Sequence, residues 1–161
     1  MREWAVSGGL IQATNGLLLV ENRRRNGSVD WSPPGGVVDE GEGSVEALTR
    51  EVREETGLIV ERWAPLSYEI DVTFVDAGMH LRVESYQAID WSGAITVDDP
   101  DGIVEQVEFC SPALCINRLA GSPAWVREPV MDWLADTWTD GRSYAYRVTG
   151  TTPATMQAQR L

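Results

Sequence analysis

Residues 44–58, Ser-Val-Glu-Ala-Leu-Thr-Arg-Glu-Val-Arg-Glu-Glu-Thr-Gly-Leu, read as a helix that buries one side and carries acid on another. Val45, Leu48 and Val52 recur at i, i+3 and i+7, and Gly57 supplies a stop, so the helix is expected over 44–56. With Glu51 at zero, Glu55 falls about 40° to one side and Glu54 about 60° to the other, with the apolar stripe beyond Glu55. Ala47, one turn earlier, keeps the surface in front of the three carboxylates small. Like charges at these spacings destabilise an isolated helix by about a few tenths of a kcal/mol per pair. A hard divalent cation compensates them, because it prefers oxygen ligands and keeps positions for water and phosphate.

The flanking residues strengthen this reading. Arg50 stands four residues before Glu54, where its planar fork can orient a carboxylate. Gly35-Gly36 allows a sharp turn that offers backbone carbonyls, and Glu42 can reach back across the start of the helix. Together, Gly36, Glu42, Arg50, Glu51, Val52, Glu54, Glu55, Gly57 and Leu58 fill every fixed position of a pattern of 23 residues. In this the chain resembles the Nudix hydrolase family, and the Trp31-Ser-Pro-Pro-Gly-Gly approach is similar to it too. The resemblance implies an α/β/α sandwich with a mixed β-sheet. It also implies bound Mg²⁺ or Mn²⁺ and hydrolysis of nucleoside diphosphates linked to a variable group. Carried over by position, Glu51, Glu54 and Glu55 are candidate metal ligands, joined by the Gly36 carbonyl, with Arg50 and Glu42 organising the carboxylates.

The rest of the chain also reads as α/β. Trp4–Ala13 and Gly16–Asn22 are expected strands around an Asn15-Gly16 hairpin turn. Arg23–Gly43 reads as a long functional loop. Leu58–Trp63, Leu66–Val75 and His80–Ile89 have strand composition, as does Glu105–Phe109 after an acidic loop. Ser111-Pro112 should open a short helix, and Ala124–Thr137 a second with a broad apolar face. Ser143–Thr149 is a candidate last strand. Residues 1–150 are expected to form a single domain, followed by a loosely attached tail, 151–161, that lacks periodicity.

With 25 acidic and 13 basic side chains the net charge is −12, which disfavours a nucleic acid polymer as partner. A small nucleotide-derived substrate remains compatible, since a bound cation reverses the field locally. Arg23, Arg24 and Arg25 form the densest basic run; Arg23 and Arg25, with Trp31 for base stacking, are the candidate substrate contacts. Glu54 and Arg50 are the candidate catalytic groups of the helix. A general base is also sought downstream, among Glu105, Glu108 and Asp98, Asp99 and Asp101; Glu105 is chosen because it borders both loop and strand. His80, the only histidine, reads as a strand residue.

Cys110 and Cys115 match no redox or zinc spacing, which suggests reduced thiols and a cytoplasmic location. No segment has the length and apolarity of a membrane span or signal peptide. The first strands and the tryptophan-rich helix are candidate contacts for a homodimer. The expected activity is metal-dependent cleavage of a diphosphate linkage, in a nucleoside triphosphate (intact or oxidised) first, and in ADP-ribose or a nucleotide sugar second. A non-catalytic sensor built on the same fold is the alternative, and a plain acidic interaction domain leaves the spacing unexplained.

Overall fold

The computed structural model describes residues 1–161. In chain order the elements are β1 (Arg2–Leu10), β2 (Gln12–Ala13), β3 (Gly16–Arg23), β4 (Val29–Ser32), β5 (Gly35–Val37), α1 (Ser44–Thr56), β6 (Ile59–Phe74), β7 (Met79–Ser92), β8 (Val104–Cys110), α2 (Pro112–Leu119), α3 (Ala124–Ala135), β9 (Arg142–Thr149) and β10 (Gln157–Arg160). A six-stranded sheet runs β10-β9-β6-β7-β1-β5. It is mixed: β1 lies parallel to β7 and β6 to β9, while its other pairings are antiparallel. β3 centres a smaller sheet, pairing with β2, β4 and β8.

Strand alternation divides the core in two. Leu18 joins Leu48 and Val52 of α1, with Val60 and Ala88 of the large sheet. Leu17 and Leu19 face the other way, into a larger cluster with Tyr68, Ile70 and Val72 of β6 and Trp133 of α3. Helix α1 thus packs on one side and α2 and α3 on the other, which is the expected α/β/α arrangement. Leu48 and Val52 are fully buried, whereas Val45, expected on the same stripe, is left exposed at the first turn.

Several expectations are corrected. The strand expected over Trp4–Ala13 breaks at Ile11, so β1 joins the large sheet and β2 the small one. The expected loop Arg23–Gly43 contains β4 and β5; the latter pairs Gly36 with Ser7. The two strands foreseen at Leu58–Trp63 and Leu66–Val75 are one, β6, with an irregular register between Val60 and Tyr68, around Pro65, which cannot donate to a ladder. The tail is not loose: β10 pairs along β9, and the Leu161 amide reaches the Ala145 carbonyl. Its polar, fully exposed sequence gives no alternation to read, because an edge strand buries neither face here. The apolar face of α3 packs on its own sheet, with Trp133 buried and Trp125 edge-on to Phe74.

Candidate active site

Helix α1 begins after Gly43 without a side-chain cap and ends where Gly57, at φ 79°, donates its amide to the Arg53 carbonyl. It lays its acidic face along a cleft of about 650 Å³, lined also by β1, β5, α3 and the loop before β8. Glu51, Glu54 and Glu55 all line it, as do Gly36 and Arg50. The sequence-derived face is therefore brought together.

The three carboxylates are held differently. Glu55, 6% exposed, accepts the Gly35 amide at 2.9 Å and has no cation hydrogen-bonded to it. Burial, reinforced by Glu51, Asp99 and Glu54, pushes it up to about 8 against the Gly35 hydrogen bond. Glu51, nearly as buried, is also raised by burial, opposed by the Arg50 guanidinium at 2.9 Å. Its carboxyl lies against the Gly36 backbone: a Cβ there would stand 2.4 Å from the carboxyl carbon. Glu54 is the least committed, touching only Arg50, at 3.5 Å.

Arg50 is the organiser. Its Nε and Nη2 each donate to Glu42 at 2.9 Å, and Nη1 reaches Glu51. These hydrogen bonds, those to Glu42 above all, raise the guanidinium above its ordinary value, and Glu42 is lowered in turn by Arg50. Glu42 also accepts the Asp39 amide, so the chain before α1 is tied to the same fork.

The side chains as they stand do not bring three donors to one point, because Arg50 occupies Glu51 and Gly35 occupies Glu55. The donor set still suits a hard cation: oxygen only, two members almost buried, one cation shared among them, and a glycine where any side chain would displace Glu51. The buried Ser7 hydroxyl, at the register of Gly36, has no partner in the chain.

Other expected residues lie elsewhere. Glu105 is not at the cleft. A β-bulge leaves it unpaired, Glu21 facing Gln106 and Asn22 facing Val104, and it is exposed in a fork with Arg23. That pairing occupies Arg23 as well, while Arg25 sits exposed in the turn after β3. Arg24, between them, is the one that lines the cleft, forked onto Asp30 at 2.7 and 2.9 Å. Trp31 is covered by Arg118, whose guanidinium stands 3.9 Å above its ring, and does not line the cleft. Glu108 pairs with Arg118 on the same side. Asp99 and Asp101 do line it; Asp99 accepts the amides of Asp101, Ile103 and Val104 and so shapes the loop. His80 bridges Glu3 and Asp71 on the strands beside it. Asn22 and Ser32, which sequence reasoning passed over, also line the cleft.

An α/β sandwich with a mixed sheet, whose cleft is faced by a glycine-led helix of glutamates, is the architecture of a Nudix hydrolase. The family model of the NUDIX domain matches residues 1–134, and the chain belongs to that family. Among solved structures it is similar to a MutT Nudix hydrolase from Burkholderia pseudomallei, at 28% identity and a TM-score of 0.62, over 70% of this chain and 86% of that one. The mutator MutT protein of Bacillus halodurans shares the fold at 20% identity and a TM-score of 0.69, over 98% and 97%. So does an ADP-ribose pyrophosphatase from Streptococcus suis, at 17% identity and 0.54, over 87% and 98%. No curated protein matches. No helix is long and apolar enough to cross a membrane.

Proposed function

We propose that this Nudix hydrolase cleaves a diphosphate linkage in a nucleoside diphosphate derivative with the help of Mg²⁺ or Mn²⁺. The carrying observation is the row of three carboxylates on one cleft-facing side of α1, two of them buried, with the single guanidinium of Arg50 reaching Glu51 and Glu54 but not Glu55. A nucleoside triphosphate, intact or oxidised, is the first substrate class, supported by the likeness to a MutT enzyme. ADP-ribose or a nucleotide sugar is the second.

Glu51, Glu54 and Glu55, with the Gly36 carbonyl, would hold the cation. When bound it neutralises phosphate oxygens and makes water more acidic, which a diphosphate, itself anionic, requires of any nucleophile. Arg50 and Glu42 fix the Glu51 carboxylate, so that little reorganisation accompanies the reaction. Glu54, the carboxylate with fewest partners, is assigned to take the proton of the attacking water at its free oxygen. Glu105 is withdrawn from that role. Arg24 takes the place foreseen for Arg23 and Arg25 beside the substrate.

The test is hydrolysis by the purified protein, with Mg²⁺ and then with EDTA, across nucleoside triphosphates, dinucleotides, ADP-ribose and nucleotide sugars. Metal-dependent release of pyrophosphate, phosphate or monophosphate from one class is expected. No release from any of them would favour the sensor.

The Glu55 carboxyl adds a second measurement. The metal-free native state keeps this proton up to about pH 8, whereas the unfolded chain loses it near 4.5. Between those values the native state binds more protons, so the contribution of Glu55 to stability falls as pH rises and levels off above about 8. Melting in EDTA should therefore decline across this window more steeply for the native protein than for Glu55→Gln. Mg²⁺, which must displace the proton, should raise the melting temperature more at pH 8.5 than at pH 6. Identical pH profiles for the two proteins would remove Glu55 from this linkage.

A further inference from the structure

The cleft continues past the carboxylates into a compartment that the metal chemistry leaves unused. Its floor is Val6, Val83 and Ile70 of the large sheet, with Trp125 and Val130 of α3 among the residues that close it. Three neutral polar side chains line the cleft under almost complete burial, Ser7, Ser85 and Asn22, and Asn22 alone of them is an amide, with a vacant acceptor oxygen. Asn22, near the end of β3, is 6% exposed. Its Nδ2 donates to Asp30 Oδ1 at 3.2 Å and to Ser32 Oγ at 2.9 Å, which uses both amide hydrogens. Asp30 is its cross-strand neighbour on β4 and also receives the Arg24 fork through both oxygens.

This network fixes the amide in one sense. A carboxylate paired to a guanidinium can only accept, so the Asn22 NH₂ must face Asp30 and the carbonyl oxygen must face away. That Oδ1 receives no hydrogen bond from the chain. Ser32, whose Oγ accepts from Asn22, keeps its own hydrogen free beside it. A rigid acceptor with a hydroxyl donor at its side, above an apolar floor, matches the edge of a heterocycle that carries an N–H next to a C=O.

Resting on the nucleotide-hydrolase reading above, we propose that Asn22 Oδ1 selects the substrate by its base, accepting a ring N–H of a lactam edge, and that Asp30 and Arg24 are positioning residues that hold the amide in that sense. The base would lie on the sheet floor against Trp125, with the phosphates running toward Glu51 and Glu54. A site built to accept an N–H penalises an analogue that lacks it, because the buried acceptor is then left unpaired.

Binding tests this without turnover. Nucleoside monophosphates are titrated in EDTA while tryptophan fluorescence is followed, pairing guanosine with 1-methylguanosine and uridine with 3-methyluridine. In each pair the methyl group removes the N–H. The unmodified member of at least one pair should bind about 10- to 100-fold more tightly, the span expected for one buried hydrogen bond. Asn22→Leu, folded by its melting curve, should bring that ratio near one. Asp30→Asn, whose new amide can donate as well as accept, lets the Asn22 amide turn and should lower the ratio even where Asn22→Leu fails to fold. Both methylated nucleotides bound as tightly as their parents, or a ratio that survives the substitutions, overturns the assignment of Asn22. If the full protein also hydrolyses no nucleotide with Mg²⁺, the hydrolase reading itself fails; hydrolysis with an unchanged ratio overturns this inference alone.

Discussion

Glu54→Gln should abolish turnover, by about 10²- to 10⁴-fold if the side chain takes a proton in the reaction, while the protein melts at or above the native temperature. The amide copies the size of the carboxylate but can neither bear its charge nor accept the proton. Stability should not suffer, because Glu54 makes only a 3.5 Å contact with Arg50 and is crowded by Glu51 and Glu55 on the same helix face. Removing one like charge relieves repulsion. The measurement is initial rate at saturating Mg²⁺ and substrate, with a melting curve on the same preparation. Glu105→Gln is the control: exposed, paired with Arg23 and away from the cleft, it should leave the rate within about twofold. Native turnover in Glu54→Gln would remove Glu54 from the chemistry. A large loss at Glu105 would instead mean that the loop before β8 closes differently over substrate.

Glu54 and Glu105 also separate what a sequence states about its site from what it leaves out. Within a helix the angle between two side chains follows from their spacing, and α1 spans Ser44–Thr56 as its apolar repeat and Gly57 require. Thus the face shared by Glu51, Glu54 and Glu55 is legible before any fold is known. Ser111 and Pro112 open α2 for the same local reason, the hydroxyl accepting the Leu114 amide. Glu105 depends on something longer in range. Whether a strand residue points to a cleft is decided by register, and the bulge opposite Glu21 and Asn22 turns it outward. Nothing in residues 104–110 announces that bulge.

The basic run fails for a related reason. Three adjacent arginines leaving a strand point in different directions, so only Arg24 reaches the cleft. Trp31 is lost to a partner 87 positions away in sequence, Arg118, which no local pattern pairs with it. Asn22 carries a faint signal, a polar residue in phase with Leu18 and Val20 just beyond the apolar run Leu17–Val20, but its meaning depends on Asp30 and Ser32 across the hairpin. The stretch 23–43 reads as one long loop because its strands, β4 and β5, are each too brief for alternation to show.

Gly36→Ala should separate the site from the fold most cleanly. The added methyl would fall 2.4 Å from the Glu51 carboxyl carbon and 2.7 Å from both its oxygens, and nothing else is as near. What must yield is the far end of a side chain, so β5 and its pairing with β1 can stay in place. At the preceding residue the reverse holds: a Cβ on Gly35 would meet the Ser7 carbonyl oxygen at 2.0 Å, backbone against backbone. Gly36→Ala should therefore melt close to the native protein, while Gly35→Ala unfolds it or lowers its melting temperature sharply. Yet Gly36→Ala displaces a proposed metal ligand from its seat and pulls it from the Arg50 hydrogen bond, so activity should fall about 10- to 100-fold. The loss should appear as weaker dependence on Mg²⁺, with part of the rate recovered at high metal concentration, since Glu54 and Glu55 remain. Full activity at low Mg²⁺ would mean that Glu51 does not need to lie against the Gly36 backbone to work. A folded protein whose lost rate no metal concentration restores would place the damage in the alignment of substrate and attacking water, with metal affinity intact.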